Sequence, residues 1–239
     1  MDHYTPFGRP QRGAAGLLFA GVIISLIVGL FHPDGPANDH AAVFAEYAAS
    51  AHWTAIHFGQ FVGMLVIVAG LVVFFHVLSS TPGAEVLTRR FGIPTALLAL
   101  GLYAVLQAVD GIALKQAVDA WVAAPESEKA LRFASAETVR WLEWAVRSYF
   151  SFVLGLAFLL LAVVIVRTRV VPRPIAYLAG GSGITYFGQS WVVATAGFSA
   201  LNGAFIIIGI LLTVVWTAWL AILAMRVSAS ATHVGSGAT

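Results

Sequence analysis

The chain has 239 residues, of which 59% are hydrophobic and only 10% charged, with no cysteine and a formal net charge of +2. A soluble domain carries about 25% charged and 45–50% apolar residues, so an ordinary soluble fold is excluded, and the lack of cysteine excludes disulfide scaffolds, thiol catalysis and thiolate-held metal centres. A charge this small and this segregated also argues against nucleic acid as a partner.

Crossing ~30 Å of hydrocarbon takes about 20 apolar residues in a helix, and six stretches meet that need: 14–31, 53–78, 91–114, 145–166, 175–198 and 203–225. A membrane barrel would show alternating segments of about ten residues instead. The expected fold is therefore all-α, one polytopic membrane domain built as a six-transmembrane-helix bundle. The first stretch follows Arg9 and Arg12 as a secretory signal would, but it exceeds the usual ~7–15 apolar residues and ends in Phe31-His32-Pro33-Asp34 without a small-x-small site, so it reads as a retained span.

After it, Asn38 or Asp39 is a candidate N-cap, and Val43, Phe44 and Tyr47 recur at helical spacing. This predicts a short helix between spans one and two, lying on the outer membrane surface. Span two ends in the breakers Ser79-Ser80-Thr81-Pro82-Gly83. Span three is expected to continue over 115–121 beyond the bilayer, and Pro125-Glu126-Ser127-Glu128 opens a helical lead-in to span four, with proline in the first turn. Pro172-Arg173-Pro174 separates spans four and five. Gly181-Ser182-Gly183 follows no strand and opens no nucleotide loop, so it reads as close helix packing or a kink. Residues 228–239 are small and polar and are expected to form a disordered tail.

Cytoplasmic loops are enriched in Arg and Lys. One set of connections holds Arg9, Arg12, Arg89, Arg90, Arg167, Arg169, Arg173 and Arg226, whereas the opposite set holds Lys129, Arg132 and Arg140 among Asp34, Asp39, Glu46, Glu126, Glu128 and Glu137. This asymmetry predicts that both termini are cytoplasmic. Trp53, Trp121, Trp141 and Trp144 fall at the predicted outer ends, where indoles prefer the headgroup level.

Ionisable residues in or beside spans are the natural functional candidates. Counted inward at ~1.5 Å per residue, His57, Gln60, Asp110, Lys115, Glu143, Arg147 and Gln189 fall near the outer face, a candidate polar cavity. A structural account competes: Glu143 and Arg147 have the favourable i,i+4 spacing, and Lys115 can meet Asp119. Asp110 has no base three or four residues away, and a lone carboxylate in lipid costs about 2.5–3.5 kcal/mol. It must face the bundle and meet His57, Arg147 or Lys115. His32, His40, His52 and His57 are candidate ligands for copper or zinc, although His52 and His57 lie about 140° apart around a helix and match no standard ligand pair. Haem is disfavoured because His76, on the cytoplasmic side, has no partner at matched depth. No cofactor is required by the sequence.

Val109-Asp110-Gly111 on span three, Arg140-Trp141-Leu142-Glu143 leading into span four, and a glycine-rich span five together resemble a broad bacterial family of six-span integral membrane proteins, known as a domain of unknown function. The resemblance covers nearly the whole chain in layout and implies a compact six-helix bundle in a bacterial inner membrane, without an activity to transfer. With no catalytic constellation in view, the sequence is read as an accessory or scaffolding subunit of a membrane complex or homo-oligomer. The alternatives are a small-molecule or ion binder or transporter around Asp110, and a metal-binding membrane protein or metalloenzyme component using the outer histidines.

Overall fold

The computed structural model describes residues 8–33 and 38–235, with side chains through residue 226. Among these residues the structure is helical, without strands: α1 (Arg9–Gly29), α2 (His40–Ala49), α3 (Trp53–Leu78), α4 (Ile93–Ala108), α5 (Lys115–Ala123), α6 (Glu126–Thr168), α7 (Arg173–Ala196) and α8 (Ala200–Gly235). Two π-helical segments, Val86–Gly92 and Val109–Leu114, precede and follow α4 and join it to α5 in one rod. Five helices among the described residues are long and apolar enough to cross a membrane: Arg9–Gly29, Trp53–Leu78, Val86–Ala123, Glu126–Thr168 and Ala200–Arg226. α7 has the length, at 24 residues, but its glycines, serines and threonines make it less apolar than these five.

The long helices pack in chain order and then close: α1 on α3, α3 on α4, α4 on α6, α6 on α7, α7 on α8, and α8 back on α1. Small residues allow the tightest crossings, as membrane helices require when lipid is as apolar as leucine. A Cβ on Gly21 would lie 2.6 Å from the Ile67 backbone nitrogen, and one on Gly70 would lie 2.8 Å from that of Leu18, so α1 and α3 touch through their backbones. Gly155 of α6 and Gly183 of α7 are reciprocal, each Cβ position 2.7 Å from the other's carbonyl oxygen. The Gly-Ser-Gly run is thus a packing surface, with Ser182 also accepting from Thr213 of α8 at 3.3 Å.

The helix boundaries follow local chemistry. Asp39 caps α2, its carboxylate accepting from the Ala42 N–H at 3.1 Å. α7 starts from Pro172 and ends at Gly197, whose positive φ of 60° lets the chain turn against the Trp144 ring. α6 begins at Glu126, so the lead-in and span four are one helix. α8 continues through Gly235, into the segment 228–239 expected as a tail; residues 236–239 and Asp34 lie outside the described residues.

The main core, around Leu71, Phe74, Phe75, Phe158, Leu161 and Trp216, fills the bundle. A second, smaller core lies at one end: Val43, Phe44 and Tyr47 of α2 pack with Trp53, Leu114, Val118 and Ala136. The short helix therefore turns its apolar face to protein, and polar contacts fix it further. Asn38 donates to the Ala196 carbonyl (2.9 Å), His40 pairs with Glu137 (2.9 Å), and Lys115 donates to the Ala48 carbonyl at its C-terminus (3.1 Å).

Candidate functional site

Polar chemistry gathers beneath α2, where α3 begins and the second π segment faces it. Trp53, the first residue of α3, is only 1% exposed, and its indole N–H donates to the Asp110 carbonyl at 3.0 Å. It was expected at the headgroup level, but this backbone partner and its stacking against Tyr47 and His57, with ring centroids 4.0 and 4.4 Å away, draw it into the protein.

One turn along, His57 is 2% exposed, and its Nδ1 lies 2.8 Å from the Trp53 carbonyl. A carbonyl only accepts, so Nδ1 carries the proton and Nε2 is left for another partner. Nε2 lies 3.1 Å from Oδ2 of Asp110. The second carboxylate oxygen of Asp110, Oδ1, is buried without a hydrogen-bond partner. A nitrogen lone pair and a carboxylate this close repel unless a proton or a metal cation lies between them.

His32 completes the group from the chain that leaves α1. Its Nδ1 lies 2.8 Å from the Pro33 carbonyl, which again leaves Nε2 free, and its ring centroid is 5.4 Å from that of His57. One ligand atom each from His32, His57 and Asp110 lie within 4.8 Å of one another. Burial pushes the His32 imidazole below its ordinary value of 6.5, against an opposing pull from Asp110. It is therefore neutral near pH 7, the form that binds metal. Burial also raises the Tyr47 phenol, which stays protonated.

The local fold explains why these side chains meet. A π turn adds a residue to the helical repeat and re-aims what it carries, which is why such turns recur at functional sites. Here it carries Asp110. The next residue has no side chain: a Cβ on Gly111 would lie 2.5 Å from the His57 Cβ, so glycine is what lets α3 approach.

Arg140 and Glu143 of α6 adjoin this group as an ion pair at 2.5 Å, with side chains 4% and 3% exposed. The Arg140 guanidinium lies over the rings of Tyr47 and Phe198, at 5.5 and 4.7 Å. The sequence spacing had suggested Glu143 with Arg147. The pair forms instead with Arg140, whose guanidinium is held between the two rings on the face that Glu143 shares.

The other predicted residues are dispersed. Lys115 pairs with Asp119 at 2.6 Å, as expected. Gln60 and Arg147 are half-buried, and Gln189 is buried, donating to the Phe205 carbonyl at 3.3 Å. Of the four outer histidines, the fold brings together His32 and His57. His40 is committed to Glu137, and His52 is exposed ahead of α3. In the sequence Asp110 and His32 belong to separate candidate sets, and Arg140 counts among the charges of the outer connections. Gly111 directly after Asp110 was the available signal, since glycine inside an apolar helix marks a close approach.

Compared with known proteins, the chain matches no family model, no curated protein and no solved structure. The arrangement itself must carry the functional reading. Two imidazole nitrogens and one carboxylate oxygen suit zinc or copper. Around a tetrahedral ion with bonds of about 2.0–2.1 Å, donor atoms stand roughly 3.3 Å apart, so donors up to 4.8 Å apart would close by up to about 1.5 Å, shared between two side chains that rotate about their χ bonds.

Proposed function

We propose that this chain is a six-span membrane protein, both termini cytoplasmic, that holds a divalent transition-metal ion, zinc or copper, between His32, His57 and Asp110 near the outer face. The observation that carries the metal reading is the paired anchoring of the two imidazoles. Each has Nδ1 against a backbone carbonyl, 2.8 Å in both cases, which leaves Nε2 as the ring nitrogen able to bind a metal. Such outer-shell hydrogen bonds fix the tautomer and orientation of histidine ligands in metal sites. A six-span arrangement is supported by the place of α7 in the closed ring, between two helices that are themselves candidate spans. At ~1.5 Å per residue its 24 residues reach about 36 Å. The arginine-rich set of connections supports cytoplasmic termini.

This reading stands ahead of the expected accessory or scaffolding role, and ahead of transport around Asp110, because it uses the convergence of ligand atoms from His32, His57 and Asp110 within 4.8 Å of one another. The test uses protein purified without a histidine tag, titrated with zinc or copper by calorimetry and analysed for bound metal. One ion per chain is expected, with affinity reduced at least about 10-fold in Asp110→Asn and in His57→Ala. Absence of stoichiometric zinc or copper, or affinity unchanged by both substitutions, refutes it.

A further inference from the structure

Past the Gly155–Gly183 contact, toward the connection between α6 and α7, a groove of about 430 Å³ runs along the seam between the two helices. Its lining residues follow the spacing of one helix face, from Leu159 to Arg167 on α6 and from Tyr177 to Ile184 on α7. The groove exists because the seam lacks bulk: a Cβ on Gly180 would lie 3.4 Å from that of Ala162, and Gly181 adds no side chain beside it. Val163, Tyr177 and Ile184 form its exposed rims, on the surface that meets lipid in a membrane-spanning bundle. The stretch from Leu159 to Arg167 covers about 12 Å, most of the ~15 Å of hydrocarbon in one leaflet.

This groove is apolar along its length and cationic at one end. Arg167 lines it. Arg173 lies one turn before Tyr177 in α7, so it shares the lining face and extends it beyond the groove. Arg169 falls between them, and the segment 167–174 holds no acid. All three arginines are exposed, and among the described residues no ion pair involves any of them. Arg167 can offset the negative end of the α6 dipole. Arg173 does the reverse: it opens α7, whose positive end has neither a side-chain cap nor an acid in its first turn. Arg169 stands at φ 54°, a left-handed position after α6 where helices favour glycine. The asymmetry of the connections calls for basic residues on this side, but not at these two backbone positions.

We propose that the groove holds an anionic phospholipid, with one acyl chain along the α6–α7 seam and the phosphate between Arg167, Arg173 and the start of α7. Basic pockets between membrane helices on the cytoplasmic side suit anionic headgroups, and guanidinium groups meet phosphate with paired hydrogen bonds. The inference rests on the six-span reading, because α7 must lie in the bilayer for its groove to meet a lipid chain. It is independent of the metal donors, which lie at the other end of the bundle.

The test is native mass spectrometry of the full chain in detergent, titrated with dioleoylphosphatidylglycerol or with dioleoylphosphatidylcholine, which has the same chains without net charge. One phosphatidylglycerol per chain should be retained, at least about 5-fold more tightly than phosphatidylcholine. Arg167→Gln and Arg173→Gln should each weaken retention about 5-fold, and together about 25-fold. Arg9→Gln removes an exposed charge from α1, which packs on α3 and α8, and should leave retention unchanged. Ala162→Phe fills the groove and should weaken both lipids; if it does not fold, the arginine variants, at exposed positions, carry the test. The proposal is overturned if the two lipids are retained alike, if the double arginine variant matches the parent, if Arg9→Gln weakens retention as much as Arg167→Gln, or if folded Ala162→Phe retains the lipid as the parent does. The chain has no cysteine, so Val170→Cys and Ala200→Cys, on either side of α7, report its topology by reaction with an impermeant maleimide in sealed vesicles. Reaction from opposite faces without selective retention removes this proposal alone. Reaction of both from the same face removes the six-span reading, and this proposal with it.

Discussion

Replacing Gly111 by alanine adds a single methyl group at the closest approach of α3 to the second π segment. That Cβ would lie 2.5 Å from the His57 Cβ and 2.9 Å from its Cγ. Carbon atoms rest about 3.5–4.0 Å apart, so the two elements must separate by about 1 Å. Both crowded atoms sit at the root of the imidazole and not at a flexible tip, so no side-chain rotation relieves the contact. Overpacking of this kind costs about 1–3 kcal/mol, opposing the ~1 kcal/mol that alanine gains over glycine in a helix. Because the His57 Cβ and its helix are pushed away from Asp110 together, side-chain rotation does not restore the approach, and zinc affinity should fall roughly 10–100-fold, as it does when a ligand's support is disturbed. Gly101→Ala is the control, because nothing lies within 4 Å of its Cβ, and it should leave affinity unchanged and stability equal or higher. Zinc titration and thermal unfolding in detergent read both quantities. If Gly111→Ala binds zinc as tightly as the parent and unfolds at the same temperature, glycine is not what allows His57 to meet Asp110, and the account of the site is wrong.

Two further outcomes follow from the packing. Arg140→Met strands the Glu143 carboxylate and should cost about 3–5 kcal/mol, whereas Arg140→Met combined with Glu143→Leu should recover most of that loss, because a buried pair is dearest when half of it is removed. Equal unfolding temperatures for the single and double variants would show that the pair is not buried as described. At the α6–α7 crossing, Gly183→Leu drives side-chain carbon into the Gly155 carbonyl, 2.7 Å away, and into Leu159, 2.9 Å away, and should cost at least about 1–3 kcal/mol. Gly203→Ala, with nothing within 4 Å, should leave unfolding unchanged; a matching loss in both would remove the packing argument.

Long-range apolarity made the helices legible in advance: 53–78 matches α3 at both ends, and the cap at Asp39, the helix through Val43, Phe44 and Tyr47, and the lead-in at Glu126 all follow from local chemistry. What escaped is what hydropathy does not encode. α7 lines up as a span by length, yet its small polar residues serve contacts with α6 and α8 and lower its apolarity. Asp110 was recognised as a carboxylate in need of a partner, and His57 was among the three named. The role of His32 depends on how the chain leaves α1 and on a π turn 80 residues later, neither of which periodicity reveals. Arg140 reads in the sequence as a charge of the outer connection, because the aromatic rings from α2 and from beyond α7 cover it only after folding.

The order of packing has a consequence for how the site is made. Each long helix docks on the one synthesised just before it, so the bundle can grow hairpin by hairpin as the chain emerges, at little entropic cost for closing loops. His32, His57 and Asp110 all precede residue 111 in the chain, whereas Arg140, which covers Tyr47, and Phe198, which Arg140 also lies over, come later. The three residues of the proposed site are thus synthesised before the Arg140 and Phe198 side chains that complete the neighbouring ion pair and ring contacts.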